Sequence, residues 1–339
     1  MMSRHMTRRR FLVTAAGAVA LVRIGSYEAS AEENVVRIAT GTRATSQSIA
    51  WIGTEAGIFK RLGLDVRFPA METAGPMVAE GLVRGDWDFG EVGGAPIVQG
   101  VLDGHDTVIL AAAEQLAAGT GSSLLVRRGI TEPAQLSGAR IGVLTEAGQT
   151  GISARAMLRK WGITATLVPL GTYPKIYASL GAGEIDAGML TVEYRLAGQR
   201  AFGLNVLPAP ERGFQPAGLA STRRLISSNR GLVARVVQGY VETIHLFKTN
   251  RSVVVPLLQR FLKIFDSQTI GDIYDYYEPQ FQKLPLPSPS GIQNLLNEFA
   301  PKYPAARTLQ PSAFTDTSFL EDLERSGFVA RLYRSDKKD

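Results

Sequence analysis

Side chains able to bind or react gather at a few turn-like places along the 339-residue chain. Thr42 and Arg43 follow the apolar run Val35-Val36-Arg37-Ile38-Ala39 and precede a helix expected from Ser46 to Glu55. A guanidinium there can form a two-toothed pair with a carboxylate or sulfonate, and the free N–H groups of a helix start also favour an anion. A solvated loop arginine fits the same position. Thr145-Glu146-Ala147-Gly148-Gln149-Thr150 is a second turn of this kind. Its Thr145, Gln149 and Thr150 can close on a ligand, and Thr150 can equally cap the next helix. In Gly93-Gly94-Ala95-Pro96 the glycines, with Ala95, let a ligand approach the backbone, and Pro96 suits a first helical turn. Gln115 beside Glu114 both donates and accepts, as a ligand contact or a turn residue. Tyr173 offers an aromatic wall or a surface ring. Thr191 and Glu193 close a later strand, where Glu193 holds a cationic or amide group or fixes a hinge.

The catalytic alternatives are thinner. Asp86, Asp88 and Glu91 suggest paired carboxylates, which must flank a scissile bond at a defined separation. Strand alternation puts Asp86 and Asp88 on one face, and the recurrence of the motif at Asp186 points to a structural turn or cap. With no cysteine there is no disulfide, thiolate nucleophile or cysteine-ligated metal. His105 lies in the polar turn Asp103-Gly104-His105-Asp106, expected exposed, and His245 flanks a helix stripe; neither forms part of a His-x-x-x-His or similar ligand pair, and neither is a good base candidate. The reading is non-enzymatic, with no cofactor and no metal.

Thr7-Arg8-Arg9-Arg10-Phe11-Leu12, an apolar run to Val22 and then Ala29-Ser30-Ala31 read as an export signal of the twin-arginine type, cleaved after Ala31. The run is short of the roughly 20 residues that span a bilayer. Residues 1–31 carry five arginines and one glutamate, so removing them takes the net charge from +6 to +2. No dense basic run remains to suggest a nucleic-acid face.

These residues have to be held by elements, and the chain repeats itself. Leu82-Val83-Arg84-Gly85-Asp86-Trp87-Asp88-Phe89-Gly90 is echoed by Leu180-Gly181-Ala182-Gly183-Glu184-Ile185-Asp186-Ala187-Gly188, and Arg61-Leu62-Gly63-Leu64-Asp65-Val66 by Lys160-Trp161-Gly162-Ile163-Thr164-Ala165. Alternation of strand and helix patterns around each copy predicts two β-α-β-α-β units with parallel pairing. Helices are expected at Thr73 to Arg84, Gly151 to Trp161 and Lys175 to Leu180. The Pro-rich segment from Leu207 to Pro216 is the expected return crossing, making two hinge crossings. Beyond it, Leu232, Val233, Val236, Val237, Tyr240, Val241, Ile244 and Phe247 form a helical core stripe. Further helices are expected over Val253–Ile264, Ser267–Gln282 and Ser290–Phe299. The expected division is 1–31 signal, 35–125 with 215–330 as lobe 1, 126–214 as lobe 2, and 331–339 as a solvated tail.

Ala56-Gly57-Ile58-Phe59-Lys60-Arg61-Leu62-Gly63-Leu64-Asp65-Val66, Arg84-Gly85-Asp86-Trp87-Asp88-Phe89-Gly90, Gly93-Gly94-Ala95-Pro96, Gly183-Glu184-Ile185-Asp186-Ala187 and Glu193-Tyr194 together resemble the nitrate/sulfonate/taurine-type substrate-binding proteins of ABC importers. The resemblance covers roughly residues 35 to 215. It implies a two-lobed α/β fold of the type II periplasmic-binding class, each lobe a mostly parallel sheet flanked by helices. It further implies a monomeric periplasmic receptor that closes on a solute and delivers it to a membrane permease and its ATPase. Arg43 and the helix starts favour a small organic anion, of sulfonate or carboxylate type. A pyrimidine or thiamine-precursor-like solute, an enzyme of the same fold and a sensor module are the alternatives.

Overall fold

Residues 34–114, 122–207, 213–264 and 266–334 are described by a computed structural model. The expected export signal, Gln115 and the last five residues of the tail lie outside them. The first unit runs β1 (Val35–Thr40), α1 (Ile49–Glu55), α2 (Ile58–Arg61), β2 (Asp65–Ala70), α3 (Gly75–Arg84), β3 (Phe89–Val92), α4 (Gly94–Leu102) and β4 (Thr107–Ile109). The second runs β5 (Ser122–Val126), β6 (Arg140–Val143), α5 (Gln149–Trp161), β7 (Thr166–Pro169), α6 (Tyr173–Gly181), β8 (Ala187–Thr191), α7 (Val192–Phe202) and β9 (Asn205–Leu207). The chain returns as β10 (Gly218–Thr222) and continues through α8 (Arg223–Ser228), α9 (Arg230–Thr249), α10 (Arg251–Leu262), α11 (Ser267–Tyr277), α12 (Pro289–Phe299), α13 (Ser318–Arg325) and α14 (Phe328–Leu332).

The two sheets share one plan, β2-β1-β3-β10-β4 and β7-β6-β8-β5-β9. β1 and β6 each pair in parallel with two strands, β2 and β3 in the first sheet and β7 and β8 in the second. The fourth position is taken by an antiparallel strand that has just crossed from the other sheet, β10 beside β3 and β5 beside β8. Because β4 and β9 lie in different sheets from the strands that follow them, the chain passes between lobes twice.

Alternation along the strands sorts side chains onto two faces. From β1 and β3, Val36, Ile38 and Phe89 face a core completed by Val237, Tyr240, Val241, Ile244 and Phe247 of α9, the stripe expected from sequence. Ala39 and Val92 face the other way, onto α3, α4 and Leu295, Leu296 and Phe299 of α12. The second sheet does the same, with Ile141 and Met189 against α5 and Leu190 against Ile176 and Leu180 of α6.

The repeated aspartate clips strand to strand. Asp88 Oδ2 accepts the Arg37 N–H at 2.8 Å while the Asp88 N–H donates to Arg37 O, also at 2.8 Å. In the second lobe Asp186 Oδ2 accepts the Arg140 N–H at 2.8 Å and the Asp186 N–H donates to Arg140 O at 2.9 Å. Asp88 and Asp186 thus each satisfy an N–H of an interior strand, Arg37 in β1 and Arg140 in β6.

Several boundaries differ from expectation. The first helix is preceded by a 3-10 turn, Thr45–Gln47, and neither Ser46 nor Ser48 caps it; Ser48 Oγ instead donates to Thr45 O at 2.8 Å. A short helix, α2, follows Gly57. Thr150 is no cap either, since Gly148 holds that place. Two C-terminal helices, α13 and α14, have no counterpart in the sequence reading.

Gly81 of α3 is where the repeated motif packs most tightly: a Cβ there would lie 2.0 Å from the Trp87 indole, whose Nε1 donates to Val78 O at 2.8 Å. Gly81→Ala is therefore expected to cost about 1–3 kcal/mol, the usual scale of overpacking. A lower urea midpoint at unchanged m-value checks it.

Candidate functional site

A cavity of about 690 Å³ of non-atom space, its open mouth included, lies between the two sheets. The first lobe contributes Gly41, Thr42, Ser46, Gln47, Gly93, Pro96 and Glu114. The second contributes Ser122, Leu144, Thr145, Gly148, Gln149, Thr150, Tyr173 and Thr191, and Gln215-Pro216-Ala217 of the return segment complete the wall. The cavity's position at the carboxyl ends of β1, β3, β6 and β8 is where open α/β sheets present ligand loops.

Polar contacts join the lobes around it. Glu193, in the first turn of α7, receives both the Thr45 N–H at 2.7 Å and the Thr45 hydroxyl at 2.6 Å on Oε1. Gln149, first residue of α5, accepts the Ala95 N–H on Oε1 at 3.0 Å. Farther out, Arg159 pairs with Glu298, and Arg200 pairs with Asp272 and donates to Thr269 Oγ1 at 2.7 Å.

Several backbone N–H groups around the cavity are taken by the protein. Thr42 N donates to Gln47 Oε1 at 3.0 Å, Gly94 N to Gln215 O at 3.3 Å, Leu144 N to Thr150 Oγ1 at 3.0 Å and Gly148 N to Thr145 Oγ1 at 2.9 Å. The glycines of Gly93-Gly94 make room for these same groups: a Cβ on Gly94 would meet Gln215 Cγ at 2.3 Å, and one on Gly93 would meet Gln149 Oε1 at 3.2 Å. By contrast, Thr191 Oγ1, Thr40 Oγ1, Glu193 Oε2 and Gln149 Nε2 are buried with no hydrogen-bond partner. No arginine, lysine or histidine is among the described residues lining the cavity.

Burial dominates the electrostatics. The Glu114 carboxyl, 5% exposed, is pushed up to about 8 first by desolvation and then by the nearby Glu193, with the Ser46 hydroxyl acting in the opposite sense. Glu91 on β3, behind the cavity, is also raised to about 8 by burial, offset in part by the Ala50 N–H at 3.1 Å. The Tyr240 hydroxyl stands close enough to offset a little more, although it and Glu91 Oε2 both miss hydrogen-bond geometry. Desolvation raises Tyr173 to about 12.

Of the residues singled out from sequence, Thr42, Thr145, Gln149, Thr150, Tyr173 and Thr191 line the cavity. Gly94 and Ala95 sit just behind the lining, and Glu193 holds Thr45 next to it. Arg43 turns into an adjoining groove with Glu72 and Tyr194. There Nε donates to Glu72 at 3.1 Å and Nη1 to Phe261 O at 2.8 Å. Gln115 lies outside the described residues. His105 is half-buried rather than exposed, and His245 packs edge-on against Tyr333 at 4.6 Å; neither lines the cavity. Asp86 pairs with Arg84 and Asp88 with Arg37. Sequence reasoning passed over Ser46, Gln47, Ser122 and Gln215. Gln47 alone carried a signal, standing five residues after Thr42 with a side chain long enough to fold back on that turn.

No protein-family model matches the chain, and no curated protein sequence does. Solved structures do match. A protein of Bordetella bronchiseptica RB50 superposes with a TM-score of 0.73 at 16% identity, over 87% of this chain and 98% of its own. The alkanesulfonate-binding protein SsuA of Xanthomonas axonopodis pv. citri, bound to MOPS, gives 0.67 at 19% identity, over 81% and 94%. The periplasmic aliphatic sulphonate-binding protein SsuA of Escherichia coli gives 0.66 at 16%, over 84% and 92%. At these identities the likeness is one of fold: a two-lobed α/β architecture of the periplasmic-binding class.

Glu91 and Glu114 set a pH dependence. Unfolded, each releases its proton near 4.5; folded, each keeps it to about 8. Their contribution is thus complete below about 4.5 and is lost as pH rises through 8, because between those values unfolding releases protons. Stability is expected to fall from pH 5.5 to 8 by up to about 1.4 kcal/mol per pH unit for each group. Glu91→Gln should remove part of that slope in urea melts, and a wild-type profile flat or rising over the window would contradict a neutral buried pair.

Proposed function

We propose that this protein is an extracytoplasmic solute receptor that captures a small polar molecule between its lobes and presents the closed form to an ABC-type permease and its ATPase. The observation that carries the reading is a cavity lined from both sheets and bridged by the Gln149–Ala95 and Glu193–Thr45 hydrogen bonds. A ligand seated there contacts both lobes only when they meet, so it stabilises the closed arrangement by its differential affinity for it. The fold likeness to sulfonate-binding proteins supports the same reading. Export through the twin-arginine signal, cleavage after Ala31 and a monomeric state belong to this proposal as well.

The neighbours' names suggest a sulfonate, one of the small organic anions that Arg43 also suggested in the sequence. In this cavity such an anion meets two buried donors without partners among the described lining residues, Gln149 Nε2 and the Thr191 hydroxyl.

The test is isothermal titration and small-angle scattering on the chain from Glu32 onward, against a panel of organic anions, cations and neutral heterocycles. A solute that binds is expected to reduce the radius of gyration. Gln149→Ala, which cuts one bridge between the lobes, is expected to weaken it about tenfold, or ~1.4 kcal/mol. Binding without contraction, or no binding by any class, would remove the receptor reading.

A further inference from the structure

The chemistry facing the cavity is lopsided, and the imbalance bears on what the cavity accepts. Its one charged lining residue among those described is Glu114. The groups acting on that carboxyl are Glu193 and the Ser46 hydroxyl, and neither is a cation. Thr191 Oγ1, 3% exposed on the residue and part of the lining, has no partner, and neither has Glu193 Oε2. Buried polar oxygens without partners are costly, and a ligand that supplies donors recovers that cost, with the Thr191 hydroxyl serving as an acceptor. On the other side, the Thr42, Gly94, Ala95, Leu144 and Gly148 N–H groups are engaged within the protein, and Arg43 is engaged with Glu72 and Phe261 outside the cavity. An oxyanion seated on those N–H groups would have to break bonds already made, and it would stand next to two carboxyl groups.

We infer that the solute taken by this cavity is an organic cation carrying its charge on N–H groups, of the protonated amine, amidine or guanidine kind, with those groups donating to Glu114 and Thr191. The inference rests on the receptor reading and gives it a ligand class. Glu193 lies behind the site and adds negative potential to it, while Tyr173 supplies an aromatic wall of the type that favours organic cations. Binding of a cation converts Glu114 to its carboxylate and releases a proton. An anion bound by the neutral carboxyl would release none, and an anion bound after protonation would take one up.

The experiment uses shape-matched probes on the mature protein: benzamidine and agmatine against benzoate, benzenesulfonate and ethanesulfonate. Thermal shift is followed by calorimetric titration at pH 7 in buffers of different ionisation heat. The expected result is stabilisation by the cations, release of most of one proton per site, and affinity at least about tenfold weaker in Glu114→Gln. The proton count is read on the unmutated protein, so it stands even where the variant folds poorly. Stabilisation by anions alone overturns the inference and leaves the receptor reading intact. Cation binding with no proton release and no effect of Glu114→Gln also overturns it, by placing the cation elsewhere. No response to any probe counts against both.

Discussion

Burying polar groups where two sheets meet is the constraint on which this molecule depends. A buried N–H or carboxylate without a partner costs kilocalories, so the junction has to be solved group by group. Glu193 solves part of it from the second lobe by taking the N–H and hydroxyl of Thr45 on one oxygen. Gln149 solves another by taking the Ala95 N–H. Each residue stands in the first turn of its helix, so a helix start of the second lobe fixes a loop of the first. The acceptors and donor that stay unpaired, at Thr191, Glu193 and Gln149, belong to the same two groups of residues.

That junction rests on two copies of one unit. Asp88 and Asp186 each hold an N–H of an interior strand, so β1 with β3 and β6 with β8 are aligned in the same way. Alignment of those strands brings their carboxyl-end loops to one edge of each sheet. The crossing strands β5 and β10 then fill the equivalent place in the two sheets. The helices from α9 onward thicken the first lobe, and α12 reaches the second through the Arg159–Glu298 pair.

Much of the scaffold was legible in the chain. Strand alternation, the glycine-closed helices and the stripe on α9 all reflect local patterns, and local patterns survive folding because each buries its own face. The site was legible in outline, since Thr42, Thr145, Gln149 and Thr191 stand at strand ends. What each of them does there was not. Arg43 carried the strongest functional signal, a lone guanidinium before a helix, yet its partners Glu72 and Phe261 come from elsewhere in the chain, Phe261 lying 218 residues away. Gly94 looked like an opening for a ligand, whereas the space beside it is filled by Gln215.

The sequence by itself therefore determined the repeated α/β units, the tight Asp-containing loops, the absence of thiol chemistry and the amphipathic helices, because each depends on residue type and short-range spacing. Tertiary structure decided the sign of the cavity. Whether a backbone N–H or a guanidinium is free to meet a ligand depends on side chains brought from distant segments, and whether Glu114 keeps its proton depends on how far folding removes it from water and how near it places Glu193.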